Sequence, residues 1–377
     1  MDFSLSEEQE MFRNYAKKSL ADLEGTQIAR RYAAGDRIAI QQSHDSLVEL
    51  GCTGLNIEEA YDGMGLGALD LVPIFEEAGA VLLPGLLLET QSFVVPLLQK
   101  FGSQHQKETY LPRIASGEVK VSIAWLESES SYRPAGIQLS AQHGQLNGTK
   151  IMVPDAELAD YLVVIARVQE GRDEAGVRAM IVPTADVAIQ PQASMDETRH
   201  VANVFFQNVA YTEEQVIGDW HAIQESLLSF NAALSAMIVG SLDRIVHTVT
   251  EYANIREQFG QPIGRFQAIK HRIVDMKMDL ETARSLAHYA NWAYETNAED
   301  RVQAVAAARI FATEAFNRVA GHSVQIHGGI GFTEELDCHL YVKRARFYEH
   351  YLGSTADYYV QAAKALGLTA VEQQVIV

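Results

Sequence analysis

The order of hydrophobic patterns along this 377-residue chain constrains its fold more than any other feature of the sequence. Apolar residues recur at helical spacing up to about residue 118, short β-rich runs continue to about residue 220, and helical spacing then returns. Near the start, Ser6 precedes several glutamates within one turn, which is the pattern of a helix N-cap. The order predicts a helical domain at 1–118, a β domain at 119–220 and a helical domain at 221–377.

The β-rich part and the C-terminal part each carry a clear local signal. Asn147-Gly148 lies between two β-rich runs and favours the tight turn of a β-hairpin. After residue 221 the apolar residues keep three- and four-residue spacing over long segments, which is typical of helices that pack into a bundle. These patterns predict an α+β fold in which a small antiparallel β domain, a sandwich or a barrel, separates two helical domains.

Charge and composition narrow the partners and the compartment. The net charge is −19, whereas nucleic acids and anionic membranes are bound mainly by basic surface. The acidic N-terminus has no signal-peptide pattern, and no window approaches the roughly 20 apolar residues that cross a bilayer. Cys52 and Cys338 suit neither a disulfide framework nor a metal site. We therefore expect a cytoplasmic protein without nucleic-acid, membrane or metal partners.

Two stretches of the C-terminal part combine groups that suit a nucleotide. In the first, IREQFGQPIGRFQAIKHR at 255–272, Arg256 closes one helix, Phe259 lies in the turn and Gln267 opens the next helix. A guanidinium suits phosphate oxygens and an aromatic side chain can cover a ring, although a helical hairpin with a basic corner also fits. In the second, QIHGGIGFT at 325–333, the glycine pair lets a ligand approach closely or simply ends a helix.

Together with the order of helices and strands, REQFGQPIG about seventy residues before QIHGGIGF resembles the acyl-CoA dehydrogenase family of flavoproteins. The resemblance extends from DFSLSEEQ through GTKIMVPDAELADYLVVIAR to the LGS turn near the end. It implies the fold of that family, with an N-terminal helical domain, a middle antiparallel β domain and a C-terminal four-helix bundle. It also implies FAD as cofactor, an acyl-CoA substrate, an electron-transfer partner, and a homotetramer or related assembly.

The resemblance assigns the FAD contacts residue by residue. The positions that meet the pyrophosphate and adenine half of FAD across a dimer interface are Arg256, Phe259 and Gln267. The Gln-x-x-Gly-Gly element, which contacts the other end of the ADP moiety, is matched by Gln325, Gly328 and Gly329. A flavin contact is also implied at the two hydroxyl residues that end the LGS turn and follow it, Ser354 and Thr355.

The catalytic base is the point at which this sequence departs from the family. The chemistry needs a Glu that removes the α-proton while the flavin accepts the β-hydride. Most members carry this Glu in a Tyr-Glu-Gly-Thr turn, and the present chain has Leu352 at that position. Other branches place it on the first long helix of the bundle, where the matching points, Phe230-Asn231 and Ala236, are not acidic. Leucine cannot accept a proton, so the usual base is missing.

Glu349 is the nearest substitute for the missing base. It precedes Leu352 by three residues, so the two would lie on one face of a helix. The alternative is that Glu349 is solvated or paired with the basic residues before it, Lys343, Arg344 and Arg346. His350 is a poorer candidate, because a single histidine there is more often a polar contact than a base.

The β domain departs from the family as well. The family run Thr-Glu-Pro-x-x-Gly-Ser-Asp, which meets flavin and substrate, appears at 125–130 as Trp-Leu-Glu-Ser-Glu-Ser. The family strand Lys-x-Trp-Ile-Thr appears at 150–154 without the Trp that packs on the flavin and without the Thr. We therefore expect the flavin contacts from this side to differ from the family pattern.

Three hypotheses about function follow. The first is FAD-dependent α,β-desaturation of an acyl-CoA, either by this chain alone or with this chain as the base-lacking subunit of a heteromer whose other subunit is a Glu-bearing homologue. The second is a non-catalytic scaffold that holds acyl-CoA or a partner. The third is a flavin monooxygenase on the same fold, which needs no α-proton base, and its sequence support is the missing Glu alone.

Overall fold

A computed structural model of the chain describes residues 6–22, 25–128 and 131–368. The helices in these ranges are α1 (Glu7–Asp22), α2 (Gln27–Ala33), α3 (Arg37–Glu49), α4 (Ala68–Ala80), α5 (Leu87–Glu89), α6 (Val95–Phe101), α7 (Gln104–Ala115), α8 (Trp220–Ile255), α9 (Gln267–Glu295), α10 (Arg301–His327), α11 (Cys338–His350) and α12 (Thr355–Ala365). A π-helical turn, Thr90–Val94, joins α5 to α6. The strands are β1 (Val121–Ala124), β2 (Ser140–Gln142), β3 (Gln145–Pro154), β4 (Tyr161–Arg167), β5 (Val177–Pro183), β6 (Ala188–Gln192), β7 (Val201–Ala210), β8 (Val216–Asp219), β9 (Glu257–Gln258) and β10 (Gln261–Pro262).

The chain divides into two compact units. One consists of residues 1–30, 68–83 and 231–377, and the other of residues 31–67 and 84–230. Each unit is therefore assembled from separate segments of the chain. The division into three consecutive domains stays a prediction.

The N-terminal helix begins as the sequence predicts. The Ser6 hydroxyl accepts a hydrogen bond from the Gln9 N–H at 3.1 Å, and the Gln9 side-chain oxygen accepts one from the Ser6 N–H at 3.0 Å. This reciprocal pair satisfies two N–H groups that a helix start leaves without partners. The predicted N-cap at Ser6 is confirmed.

Two glycines allow α4 and α8 of the first unit to pack backbone against backbone. A Cβ added to Gly79 would lie 1.8 Å from the Met237 carbonyl oxygen, and one added to Gly240 would lie 1.7 Å from that of Glu76. The Ser241 hydroxyl donates to the Gly79 carbonyl at 2.8 Å. In the same unit α10 packs against α9, α11 and α12. The long helices thus form a helical bundle, as expected from their apolar spacing.

By length and composition alone, α8 could cross a membrane. However, 89% of its most apolar 18-residue window is buried inside the protein. A helix that is apolar on most of its faces and covered by its own chain has the properties of a core helix.

The sheet of the second unit is mostly antiparallel but contains parallel pairs. Its strand order is β6-β7-β3-β2-β4-β5-β8, with β1 paired to β4. Both β1 and β2 run parallel to β4, whereas the remaining neighbours are antiparallel. The chain reverses between β2 and β3 and again before β4, so β4 regains the direction of β2. The predicted antiparallel β domain is confirmed for most strand pairs, and the parallel pairs of β4 with β1 and β2 were not predicted.

The predicted hairpin is present, but its turn lies elsewhere. His143 and Gly144 have φ values of 52° and 73°, and β2 and β3 pair on either side of them. Two successive residues at positive φ form the type I′ turn that matches strand twist. Asn147-Gly148 lies inside β3, opposite a bulge of β7 at Gln207-Asn208, where Asn208 has a φ of 53°. The prediction of a turn at Asn147-Gly148 is wrong, since this pair continues the strand.

The core of the second unit lies on one side of this sheet. Its members come from alternate positions of the central strands and include Leu146, Val164, Met180, Val204 and Phe206. Alternation of this kind places one face of each strand against the core. The sheet therefore holds the ends of β1 and β3 in fixed positions.

Candidate active site

The turn between α11 and α12 has an unusual backbone at the position where the base is expected. Leu352 has a φ of 53° and Gly353 a φ of 134°. Leucine rarely adopts the left-handed region, so surrounding contacts must hold it there. A Cβ on Gly353 would lie 2.7 Å from the Tyr358 hydroxyl oxygen. We call residues 348–354 the Leu352 turn, and glycine at 353 is a steric requirement of it.

A buried arginine of α10 holds the first half of the Leu352 turn. Arg309 is 1% exposed, and its Nη2 donates to the carbonyl oxygens of Tyr348 and Tyr351, the second at 3.2 Å. Its Nε donates to the Asn231 side-chain oxygen at 3.1 Å, and its Nη1 to the Thr313 hydroxyl. Hydrogen bonds from a charged donor are stronger than neutral ones. The guanidinium therefore fixes two carbonyl groups at the end of α11.

Tyr358 of α12 holds the second half of the turn. Its hydroxyl donates to the Leu352 carbonyl at 2.7 Å, and its ring centroid lies 5.2 Å from the Arg309 guanidinium carbon. Burial raises the pKa of Tyr358, with Arg309 acting in the opposite direction, so the hydroxyl stays a donor at neutral pH. Leu352 is 3% exposed. Within the ranges that the structure describes, neither the Leu352 N–H nor the Gly353 N–H donates a hydrogen bond.

The candidate substitute base lies on α11 and is engaged by a neighbour. The Arg346 Nη1 donates to the Glu349 carboxylate at 2.8 Å, and both side chains are partly exposed. This is the paired arrangement that the alternative interpretation of Glu349 expected. His350 is exposed at the end of the same helix. Asn231, at a position where other branches carry the acid, is buried against Arg309.

The first nucleotide stretch forms a tight hairpin after α8. Its strands β9 and β10 are joined by Phe259, with a φ of 53°, and Gly260, with a φ of 80°. A phenylalanine at positive φ is rare, and its side chain is 92% exposed. Arg256 before the hairpin and Gln267 after it are exposed as well. A bulky aromatic side chain is thus presented to solvent in a conformation that costs energy, which suggests a binding role.

The second nucleotide stretch ends α10. Gly328 follows the last helical residue with a φ of 63°, which favours glycine. Gly328 and Gly329 are exposed, and a Cβ on either would meet no atom within 4 Å. Gln325, one turn earlier, is also exposed. These glycines are therefore not required for close packing against another part of this chain, and the space in front of them is open.

A pair of tilted rings joins the two nucleotide stretches. The rings of Tyr252 and His327 lie 4.3 Å apart between centroids, and the Tyr252 hydroxyl donates to the His327 carbonyl at 3.3 Å. The Arg256 N–H donates to the Tyr252 carbonyl at 2.8 Å. Through these contacts the structure brings together two stretches that are far apart in sequence. We call residues 256–267 and 325–329 the nucleotide corner.

Comparison with known proteins gives one consistent result. Residues 6–118 match the family model of the acyl-CoA dehydrogenase N-terminal domain, and residues 220–366 match that of the C-terminal domain. A probable acyl-CoA dehydrogenase of Bacillus subtilis is 28% identical, covering 93% of this chain and 95% of its own. (R)-benzylsuccinyl-CoA dehydrogenase of Thauera aromatica is 25% identical and covers 97% of each chain. The solved structure of butyryl-CoA dehydrogenase from Megasphaera elsdenii has a TM-score of 0.89 and 26% identity, covering 97% of this chain and 100% of the other.

The chain belongs to the acyl-CoA dehydrogenase family. The predicted fold of that family is confirmed, and the protein is an FAD-dependent oxidoreductase that acts on CH–CH bonds. The relatives described above are named dehydrogenases, so dehydrogenation is favoured over the scaffold and the monooxygenase hypotheses.

The nucleotide corner fits the ADP half of FAD. It contains an exposed guanidinium, an exposed aromatic ring and two exposed glutamine side chains, together with glycines that have open space in front of them. These groups complement phosphate oxygens, adenine and ribose hydroxyls. Ser354 fits a flavin contact less well, because its hydroxyl donates to the Asp357 carboxylate at 2.7 Å and caps α12. Thr355, the first residue of α12, is partly exposed.

An ion pair that was not predicted from the sequence holds the segment after β1, which matches the Thr-Glu-Pro-x-x-Gly-Ser-Asp run of the family. The Lys150 side chain is fully buried, and its Nζ donates to the Trp125 carbonyl at 2.8 Å and to the Glu127 carboxylate at 2.6 Å. The Glu127 carboxylate also accepts the N–H groups of Gln138 and Leu139. Burial lowers the pKa of Lys150 to about 8, and Glu127 opposes the decrease. The sequence did contain a signal for this pair. Lys150 and Glu127 match the Lys and the Glu of the two acyl-CoA dehydrogenase motifs in which they lie.

Met152 stands where the family strand carries its tryptophan. It has a φ of 53°, and a register shift between Lys150 and Val153 marks a bulge in β3 at this point. Bulges redirect side chains, and the Met152 side chain is 38% exposed. A flexible thioether therefore replaces the aromatic ring at this position of the dehydrogenase fold.

Proposed function

We propose that this chain is the subunit of a heteromeric acyl-CoA dehydrogenase that binds FAD and acyl-CoA but lacks the catalytic base. The observation that carries the proposal is the Leu352 turn, whose backbone is held by Arg309 and Tyr358 around a buried leucine. Glu349, the nearest acid, is paired with Arg346 at 2.8 Å. A Glu-bearing homologous subunit would supply the base that removes the α-proton.

In the proposed reaction this chain binds FAD and acyl-CoA and polarises the thioester carbonyl. When bound, FAD supplies the acceptor for the hydride that leaves the β-carbon. The N–H groups of Leu352 and Gly353, which donate to no acceptor in the described ranges, support a role as donors to the thioester carbonyl. That oxygen gains negative charge as the α-proton leaves, so oriented donors stabilise the transition state. Arg309 and Tyr358 hold the neighbouring carbonyls and thereby fix the direction of these donors.

Exposed apolar side chains in the first unit support subunit contacts. Val274 and Met278, four residues apart on one face of α9, are 51% and 63% exposed, and Phe332 is 82% exposed. Large apolar side chains of this kind mark interaction surfaces when they cluster. We infer that a second subunit covers α9 and the adjoining turns. The Glu-bearing homologue is the occupant in a heteromer, and a second copy of this chain is the occupant in a homo-oligomer.

An electron-transfer partner and a cytoplasmic location complete the proposal. Each turnover leaves reduced flavin, so a separate electron carrier must reoxidise it. Cys52 and Cys338 are both buried free thiols, which suits a reducing compartment.

Anaerobic flavin bleaching tests the proposal. The chain is purified alone and after co-expression with a Glu-bearing homologue, and each sample is mixed with a panel of acyl-CoA thioesters. We expect the chain alone to be yellow and to stay yellow, and the heteromer to bleach. A heteromer whose homologue carries Gln in place of its Glu is the matched control and should not bleach.

Two results would contradict the proposal. Bleaching of the chain alone at the rate of the heteromer would place a base within this chain, and its loss in Glu349→Gln but not in the control Glu334→Gln would identify that base. Absence of bound flavin in every preparation would contradict FAD binding itself.

A further inference from the structure

The second unit contains a cavity that none of the candidate site residues lines. Its empty volume, including the mouth, is about 620 Å³. It lies among α3, the segment around α5 and the loop that follows α7. Most of the wall is apolar, with side chains that include Ile40, Leu47, Leu87, Ile114 and Val119. The cavity therefore favours a ligand with an apolar body.

One polar side chain in this wall lacks a partner for its oxygen. Gln91 is 1% exposed and lines the cavity. Its Nε2 donates to the Thr53 carbonyl at 3.0 Å, whereas its Oε1 accepts no hydrogen bond from any described residue. A buried acceptor without a donor is rare in native proteins and calls for a ligand or a water molecule. The missing group is a hydrogen-bond donor.

The other polar groups of the wall agree with this requirement. The His44 Nε2 lies 2.8 Å from the Gly117 carbonyl, which can only accept, so this nitrogen carries the proton and Nδ1 is an acceptor in the neutral ring. Lys120 also lines the cavity, and its ammonium lies 3.9 Å from the Asp160 carboxylate, which balances its charge. Neither group thus adds an uncompensated cation that would favour an anionic ligand.

We propose that this cavity binds a small neutral amphiphile, namely an aliphatic alcohol of about hexanol size. Burial of the alkyl chain provides the affinity, and donation from the hydroxyl to the Gln91 Oε1 provides the orientation. The inference concerns a separate pocket and is independent of the proposed role in dehydrogenation.

Titration of the purified full-length chain with two isomers tests the proposal. 1-Hexanol and methyl pentyl ether have the same atoms, but only the alcohol donates a hydrogen bond. Calorimetry should show saturable binding of the alcohol that is about fivefold tighter than that of the ether. Gln91→Leu should remove this preference while both isomers still bind. Equal affinity of the two isomers for the unmodified chain, or no saturable binding of either, would overturn the proposal.

A variant that fills the cavity locates the site. Leu87 is partly exposed, so Leu87→Trp can occupy the space without a change in the buried core. Hexanol affinity should fall at least about tenfold in Leu87→Trp, whereas Leu366→Trp, at an exposed leucine outside the cavity wall, should bind as the unmodified chain does. Equal hexanol affinity in the two tryptophan variants would overturn the proposal, even if Gln91→Leu failed to fold.

Discussion

The Leu352 turn and the nucleotide corner differ in what each contributes to an active site. The corner has the side chains that suit a nucleotide, whereas the turn has an ordered backbone without the catalytic acid. The corner keeps its chemical groups, since Arg256, Gln267 and Gln325 are exposed and Phe259 is 92% exposed. The turn keeps its geometry, through the buried Arg309, but has lost its acid. Geometry and chemistry are therefore separable in this fold, and loss of the base has left the framework for binding in place.

Removal of the cation beneath the turn should have the largest effect on stability. Arg309→Met removes the buried charged donor that binds the carbonyls of Tyr348 and Tyr351 and the Asn231 side chain, so the free energy of unfolding should fall by about 3 kcal/mol. Urea denaturation measures the change. In the control Arg318→Met, which removes a surface pair with Asp279, the decrease should stay below about 1 kcal/mol. Equal decreases in both variants would show that Arg309 does not hold the turn.

Alanine at one glycine of each region should give opposite results. Gly353→Ala places a methyl group 2.7 Å from the Tyr358 hydroxyl oxygen at a φ of 134°, so unfolding free energy should fall by about 2 kcal/mol. Gly329→Ala meets no atom within 4 Å and should change stability by less than about 0.5 kcal/mol. Gly329→Ala should instead weaken FAD binding, measured by flavin fluorescence. A stable Gly353→Ala variant would show that the turn is looser than described.

Loss of a cation at the nucleotide corner should change affinity without changing stability. Arg256→Ala removes an exposed guanidinium, so FAD affinity should fall about tenfold while the unfolding midpoint of the flavin-free protein stays constant. Arg256→Lys should recover only part of the affinity, because an ammonium lacks the planar fork. Lys18→Ala, at an exposed lysine of α1, is the control. Similar FAD affinities for Arg256→Ala and Lys18→Ala would remove Arg256 from the site.

A third region, around the buried Lys150 of β3, can be compared with these two. Replacement of Lys150 should have the smallest effect, and the effect should depend on pH. Its folded-state pKa of about 8 lies below the ordinary value of 10.5. Between these values the unfolded chain binds more protons than the folded chain, so the free energy of unfolding should rise with pH. From pH 8 to 9.5 we expect the free energy of unfolding to rise by about 1 kcal/mol relative to Lys150→Met, measured by urea denaturation. Lys120→Met, at a partly exposed lysine, should keep the increase. A flat difference between the unmodified chain and Lys150→Met would mean that Lys150 is charged throughout.

The nucleotide corner could be predicted from sequence because its groups stand close together in two short stretches. The contact between those stretches could not be predicted, since it depends on the ring contact of Tyr252 with His327. The missing acid at Leu352 was also visible in the sequence. The role of Arg309 in holding the Leu352 turn could not be predicted. Arg309 lies within an alanine-rich helix and donates to carbonyl groups about forty residues later.

The features of the β domain that were not predicted correctly from the sequence have a common physical cause. Asn147-Gly148 is a strong local turn signal, yet the tertiary context places it within β3, opposite a bulge of β7, and the turn forms at His143-Gly144. The parallel direction of β1 follows from the number of chain reversals, which local patterns do not record. The ion pair of Lys150 with Glu127 likewise joins β3 to the loop after β1, and the sequence alone cannot show that these two segments are in contact.

Restoration of the acid tests the central claim most directly. The claim is that this chain retains the geometry and the FAD site but not the base. Leu352→Glu and its isosteric control Leu352→Gln are compared with the unmodified chain for anaerobic flavin bleaching by an acyl-CoA. We predict a rate increase of about 10²- to 10⁴-fold for Leu352→Glu and none for Leu352→Gln. An unmodified chain that bleaches alone as fast as Leu352→Glu would contradict the account.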